Sequence, residues 1–171
     1  MRNRNIDIFI SGAGPAGLLT SLSFASLGYS VFCVDPKKPV TQSNDDGADL
    51  RTTAFLQPAK TFMASLGLWE KLEPFAEPME IMRIIDSAGD NWPPIETTAK
   101  DFLASEISDL PFGWNIPNWL LQRTLLENAM EYSNLELKFG LTTSSIIRRD
   151  DAAFVYPVSY THLTLPTTRL V

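Results

Sequence analysis

Cysteine and histidine are nearly missing from this chain of 171 residues, which holds one of each, Cys33 and His162. A single cysteine excludes an internal disulfide, and the pair leaves no set of ligands at metal-site spacing. Basic charge is also short: 14 Lys and Arg face 20 Asp and Glu, a formal net charge of −6. An acidic chain has no global field to draw in a phosphate backbone, which excludes nucleic acid as the expected partner, and it offers no basic patch for direct lipid binding. Internal repeats are lacking as well. The hydrophobic share of 44% is that of a folded protein and far from a disordered one, and the length suits one domain around a single core. These absences describe a reduced, metal-free, cytoplasmic protein. Nothing in the pattern selects an oligomeric state.

Charge is absent from one long stretch, Ile8 to Val34, with Arg2 and Arg4 ahead of it. A secretory leader begins this way, but Asp7 interrupts the entry. Gly12, Gly14, Gly17, Gly28 and Pro15, with several Ser and Thr, also thin the apolar density below that of a membrane span. No transmembrane segment is expected. A buried strand–helix–strand unit accounts for the missing charges, because its strands and one helix face all lie inside.

Ile6 to Ile10 and Tyr29 to Val34 are short, β-branched and apolar, and read as buried strands. Between them Pro15 suits a first helical position, Leu18, Leu22 and Ala25 recur on one face, and Gly28 is placed to end the helix. Pro36 to Leu50 reads as a surface connection. A helix is expected from about Pro58, with Ala59, Phe62, Met63 and Leu66 on its stripe and Gly67 after it. Ile81 to Ile85 predicts a strand, with a turn at Ser87-Ala88-Gly89-Asp90. Pro93 to Pro111 reads as strands crossing over the first sheet. Asn118 is placed to cap a third helix through about Tyr132, with Leu121, Leu125, Ala129 and Tyr132 inward. Leu135 to Leu137, Thr143 to Ile147 and Ala153 to Tyr156 read as short strands. Cys33, inside a strand, reads as buried packing.

The chemistry lies in Gly12-Ala13-Gly14-Pro15-Ala16-Gly17, a G-x-G-x-x-G at a strand-to-helix junction. Gly12 permits the tight turn, Gly14 lets a pyrophosphate approach bare backbone, and Gly17 lets helix pack closely on strand. An anion there meets free N–H groups at the positive end of the helix dipole. Asp35 ends the second strand, 18 residues after Gly17, where a carboxylate accepts hydrogen bonds from a ribose diol and repels a 2′-phosphate. A glycine turn in an unrelated α/β protein is the bland alternative. The loop alone does not choose between NAD and FAD.

Three longer segments carry a family likeness: "GAGPAGLLTSLSFASLGYSVFCVDP", "DLRTTAFLQPAKTFMASLGLW" and "FLASEISDLPFGWNIPNWLLQRTLLENA". From Ile6 to Ile147 the chain resembles the N-terminal part of class A flavin-dependent monooxygenases, most nearly the ubiquinone-biosynthesis hydroxylase branch. The resemblance implies an α/β, Rossmann-like FAD/NAD(P)-binding domain with a parallel sheet and a small antiparallel crossover sheet, here truncated. It implies FAD as cofactor, NAD(P)H as external electron donor, and a small phenolic or quinone-precursor substrate that takes one oxygen of O2 by way of a hydroperoxide at the flavin C4a carbon. Arg51 matches the family arginine on the FAD pyrophosphate, although by itself it reads equally as a surface arginine. Asn118 matches a position set against the flavin, or is only a helix cap. Gln122 and Arg123 follow one turn on; the resemblance implies that Gln122 faces the cofactor, while a solvated helix face suits both. Trp114 and Trp119 read as core. No side chain stands out as a catalytic acid, base or nucleophile, which fits chemistry carried by a cofactor. A location beside membranes, as in quinone biosynthesis, is compatible with this family.

Two departures qualify that likeness. Asp46-Gly47 and Gly89-Asp90 stand in the wrong contexts to be the family's Asp-Gly and Gly-Asp motifs, and no substrate-binding region follows. After Asp151 there is no acidic residue, and Val158 to Thr167 resembles one frame of a translated transposase-type sequencing adapter. The expected division is thus residues 1–156, the N-terminal part of an FAD-binding domain, and 157–171, a non-native loop-like tail in which His162 has no chemical role. A chain so divided is expected to be inactive alone, poorly soluble, and derived from a parent hydroxylase. An NAD-linked dehydrogenase would need a Tyr-Lys or His dyad that the chain before the tail lacks. A nucleotide-binding module without catalysis is the other alternative.

Overall fold

A computed structural model describes residues 5–88, 95–150 and 152–159. In chain order these form β1 (Ile8–Ser11), α1 (Pro15–Ser26), β2 (Val31–Asp35), β3 (Thr52–Leu56), α2 (Gln57–Ser65), α3 (Trp69–Leu72), β4 (Glu77–Met79), β5 (Ile81–Ala88), β6 (Ile95–Leu103), β7 (Gly113–Pro117), α4 (Asn118–Ala129), β8 (Leu135–Phe139), β9 (Leu141–Arg148) and β10 (Ala153–Ser159). No described helix is long and apolar enough to cross a membrane. The chain divides into two compact units, one joining residues up to Asp49 with those from Trp119 onward, the other Leu50–Asn118.

The first unit holds a parallel sheet in the order β1-β2-β8 and an antiparallel pair, β9 with β10. The expected strand–helix–strand opening is present. Leu18, Leu22 and Ala25 are buried on α1, and Val31, Cys33 and Val34 on β2, so the uncharged stretch supplies one buried helix face and a buried strand, while Leu27 and Tyr29 between them are exposed. Gly28 follows α1 in the left-handed region, φ +90°, where its N–H still reaches Ala25 O at 3.0 Å. At the open end of the β1–β2 pair, Ser30 N–H and Oγ–H both donate to Asp7 Oδ2, at 2.8 and 2.6 Å. These bonds, the hydroxyl first, hold the Asp7 carboxyl below its ordinary pKa.

Helix α4 buries Leu121, Leu125 and Ala129 as expected, but it stops at Ala129 and leaves Tyr132 beyond its end. Its last turn tightens, with Glu131 N–H on Asn128 O and Tyr132 N–H on Ala129 O, which is 3₁₀-type spacing. Residues Pro157–Ser159, expected in a loop, continue β10 against Leu141–Thr143, past a register shift between Tyr156 and Pro157. Proline has no N–H to give a ladder, so a bulge is where a strand tolerates it. His162 lies outside the described residues.

The second unit contains the antiparallel sheet β3-β7-β4 and the hairpin β5–β6. Met63, Leu68, Trp69, Leu72 and Ile116 are its buried core. Phe62, expected inward beside Met63, is 44% exposed; a helix of nine residues buries one narrow stripe, and Met63 takes it. Ser87 and Ala88 belong to β5, paired with Glu96 and Ile95, not to a turn; Gly89 and Asp90 lie outside the described residues. The Pro93–Pro111 region supplies β6, which pairs with β5. Strands β3, β4 and β7 have no counterpart in the sequence reading, because TTAFL, EPM and GWNIP show no sustained alternation of apolar and polar residues.

Asn134, unremarked in the sequence, ties the first unit together. Its Nδ2 donates to Ala25 O at 2.9 Å and to Tyr29 O at 2.7 Å, which satisfies a carbonyl of the last α1 turn and fixes the entry to β2 from the residue ahead of β8. Replacing it by Ala removes both donors. Asn134→Ala is expected to destabilise the chain by about 1–3 kcal/mol, read as a lowered urea midpoint; Asn134→Asp, which keeps the shape and loses the donors, should behave the same way.

Candidate functional site

The corner between β1, α1 and β2 is built from main chain. Gly12 N–H extends the β1–β2 ladder by donating to Val34 O at 2.8 Å, and the Cys33 thiol reaches Gly12 O at 3.5 Å. So held, Gly12 has φ +110°, a conformation that strains an L side chain. The chain then turns into α1, whose first described intrahelical bond is Leu18 N–H to Gly14 O at 2.9 Å. Pro15 has no N–H, and those of Ala16 and Gly17 precede that first bond at the positive end of the helix.

The three glycines do different work. A Cβ on Gly17 would lie 1.8 Å from Gly12 O and 2.9 Å from Gly12 C, so helix and strand touch backbone to backbone. A Cβ on Gly14 would meet no atom within 4 Å. Nothing in the fold requires glycine there, and the open space in front of its backbone is where a diphosphate would rest. The corner fits the pyrophosphate of a dinucleotide: bare backbone, N–H groups ahead of the first helical bond, and room.

Asp35 closes the corner from β2. Its Oδ2 accepts the N–H of the buried residue Ala13 at 2.7 Å, and its Oδ1 accepts Lys37 N–H at 2.8 Å. Each carboxylate oxygen keeps a lone pair beyond these bonds, enough for a ribose diol. Burial pushes the Cys33 thiol above its ordinary pKa, the negative Asp35 adds to this, and a Ser21 hydrogen bond opposes it. Cys33 is thus a protonated core residue, as its place in a strand implied.

Of the other expected cofactor residues, Arg51 and Asn118 come together within the second unit. Thr52 pairs with Pro117 across β3 and β7, so the flanking residues meet, and Asn118 N–H donates to Arg51 O at 2.9 Å. Asn118 is buried and its Oδ1 accepts Thr53 Oγ–H at 2.5 Å, a partner the sequence reading missed. Arg51 is exposed. Gln122 is half-buried on the second turn of α4, in the first unit. Arg123 has its guanidinium 5.2 Å from the Trp119 ring centre, and Trp114 and Trp119, expected in the core, are each only half-buried. Trp114 packs edge-on against Trp69 at 5.3 Å, with Lys60 Nζ 4.4 Å from its ring centre.

Comparison with known proteins shows the family and the fold. A family model described as an FAD binding domain matches residues 5–163. The chain is 29% identical over 143 residues to a 3-(3-hydroxy-phenyl)propionate/3-hydroxycinnamic acid hydroxylase of Mycolicibacterium gilvum, covering 80% of this chain and 22% of that protein. It is 26% identical over 152 residues to the ubiquinone hydroxylase UbiM of Neisseria meningitidis, covering 87% and 32%. The chain therefore spans about a fifth to a third of the length of these relatives. Among solved structures, the flavin-dependent monooxygenase PieE in complex with FAD and substrate superposes with a TM-score of 0.68 at 19% identity, over 92% of this chain and 27% of that one. The p-nitrophenol 4-monooxygenase PnpA of Pseudomonas putida does so with 0.66 at 18%, over 90% and 36%. At such identities the structures speak for the fold.

Two outcomes follow from the corner. Gly17→Ala forces α1 away from β1 and should cost ~3 kcal/mol, whereas Gly14→Ala should leave the denaturation midpoint within about 0.5 kcal/mol of the parent yet weaken dinucleotide binding about tenfold or more, a conflict of ~1.4 kcal/mol. Chemical denaturation and ligand titration of the two variants separate these effects. The Cys33 thiol should resist iodoacetamide at neutral pH in the folded chain and react once urea unfolds it, followed by mass spectrometry.

Proposed function

Because the chain belongs to the FAD binding domain family, we propose that it is the N-terminal, FAD-binding portion of a monooxygenase that hydroxylates a small phenolic or quinone-precursor ring. The observation that carries this is the corner itself: an open Gly14 backbone, N–H groups ahead of the first α1 bond, and Asp35 on the neighbouring strand. Bound FAD would supply the redox chemistry and the transfer of oxygen, with NAD(P)H as donor and O2 as oxidant. The residues of this chain bind and orient. The α1 N-terminus and Gly14 receive the pyrophosphate and Asp35 the ribose of the adenosine half, while for Arg51, on the pyrophosphate, and Asn118, on the flavin, the support is the family resemblance. Asp35 disfavours a 2′-phosphate by charge, so the dinucleotide at this corner carries a free diol.

A phenolic ring as substrate is supported by the hydroxyphenylpropionate hydroxylase relative, and a role in quinone biosynthesis by the likeness to a ubiquinone hydroxylase. Both substrate classes offer an electron-rich ring, and both belong to the whole protein. Without the remainder of that protein the chain is expected to turn over no substrate, and we place the parent in the cytoplasm or at a membrane periphery. Residues 157–171 we take as a non-native tail on the wording of Val158 to Thr167; native coding sequence continuing beyond the Tyr156 codon in genomic DNA would overturn that.

Titration with FAD tests the proposal. The chain is expected to quench flavin fluorescence with one FAD bound, and the full-length parent to purify yellow and to oxidise NADH or NADPH faster when a phenol is added. A parent that purifies colourless and takes up no FAD overturns the flavin reading. One that binds FAD without phenol-stimulated oxidation of either donor overturns the hydroxylase.

A further inference from the structure

Asp35 does two things with one carboxylate. Ala13 is 1% exposed, so its N–H lies out of reach of water and needs a partner within the protein, and that partner is Asp35 Oδ2 at 2.7 Å. The other oxygen, Oδ1, is held at 2.8 Å by Lys37 N–H on the far side of β2's end. Ala13 lies between the glycine that turns the chain and the glycine whose backbone faces open space. Its peptide orientation therefore sets where the phosphate-facing backbone points. The chain around it has few other means of fixing that peptide: Gly12 on one side is pinned through Val34 O and the Cys33 thiol, while Gly14 on the other shows no side-chain cap.

We infer that Asp35 is a positioning residue for the phosphate loop, so that the group recognising the ribose also braces the turn that receives the pyrophosphate. The two N–H donors on two separate oxygens require a carboxylate. An Asn at this place has one acceptor oxygen and one NH2, and that NH2 must face one of the two N–H groups, donor against donor. The brace and the ribose contact use different lone pairs, so the same side chain serves both at once. This rests on the nucleotide-binding reading for its ligand, though not for the brace.

The experiment compares this chain with its Asp35→Asn variant by amide hydrogen exchange and by titration with ADP and with 2′,3′-dideoxy-ADP, which keeps the diphosphate and lacks the diol. In the variant, exchange at Ala13 or Lys37 should accelerate about tenfold or more, the loss of one charge-assisted bond. Affinity should fall for both nucleotides, and further for ADP, which loses the diol contact as well as the brace. A variant that weakens ADP while leaving dideoxy-ADP unchanged, with Ala13 and Lys37 exchange unaltered, makes Asp35 a ribose ligand only and overturns the brace. If the parent chain binds neither nucleotide but the exchange responds, the brace stands and the nucleotide reading falls. Should Asp35→Asn fail to fold, the parent decides alone: a through-hydrogen-bond NMR coupling from the Ala13 nitrogen to the Asp35 carboxyl carbon supports the brace, and its absence overturns it.

Discussion

Strand β1 and helix α1 meet main chain against main chain, Gly17 on Gly12, at a distance no Cβ could occupy. The approach draws the start of the helix up against the end of the strand, and a left-handed Gly12 turns the chain tightly enough to reach it. With the helix start brought there, its leading N–H groups gather at one point, and the dipole adds its positive end to them. The adjoining strand β2 then delivers Asp35 to the same point, because parallel neighbours end on the same side. The proposed binding corner arises from packing, with hardly a functional side chain in it.

That economy explains the silence of the other side chains. The thiol of Cys33 is buried and kept protonated, Trp69 packs on Trp114 and Trp119 faces the Arg123 guanidinium, and among the described residues no cluster of His, Cys, Asp or Glu could hold a metal. A protein that borrows its chemistry from a dinucleotide needs to shape and electrostatically favour a place for it, and main-chain groups do this without cost in side-chain entropy. The second unit follows a different logic: its sheet brings Arg51 and Asn118 side by side through register, with Thr53 holding the Asn118 side chain.

The first unit was legible because its signals are local. Gly12, Gly14 and Gly17, the apolar stripe Leu18-Leu22-Ala25 and the terminator Gly28 lie within seventeen residues, and each acts on its immediate neighbours. The second unit was mostly opaque. Its β3 and β7 pair residues more than fifty positions apart, which no local pattern shows, and β4 is only three residues long. Helix α2 was found, yet which of Phe62 and Met63 turned inward was settled by what it packs on. Asn134 and Thr53 escaped notice for a related reason, since their partners lie far along the chain.

By itself, then, the amino-acid order determined that a strand would turn through glycines into a helix, that a second strand would end in an acid, and that the interior between them would carry no charge. These follow from backbone conformation and hydrophobic periodicity, which are properties of short segments. Only the tertiary structure decided that Asp35 Oδ2 takes the N–H of Ala13, that Gly14 faces open space while Gly17 faces a carbonyl, and that Arg51 meets Asn118. Those depend on distances of a few tenths of an ångström between segments, and no local preference of the chain encodes them.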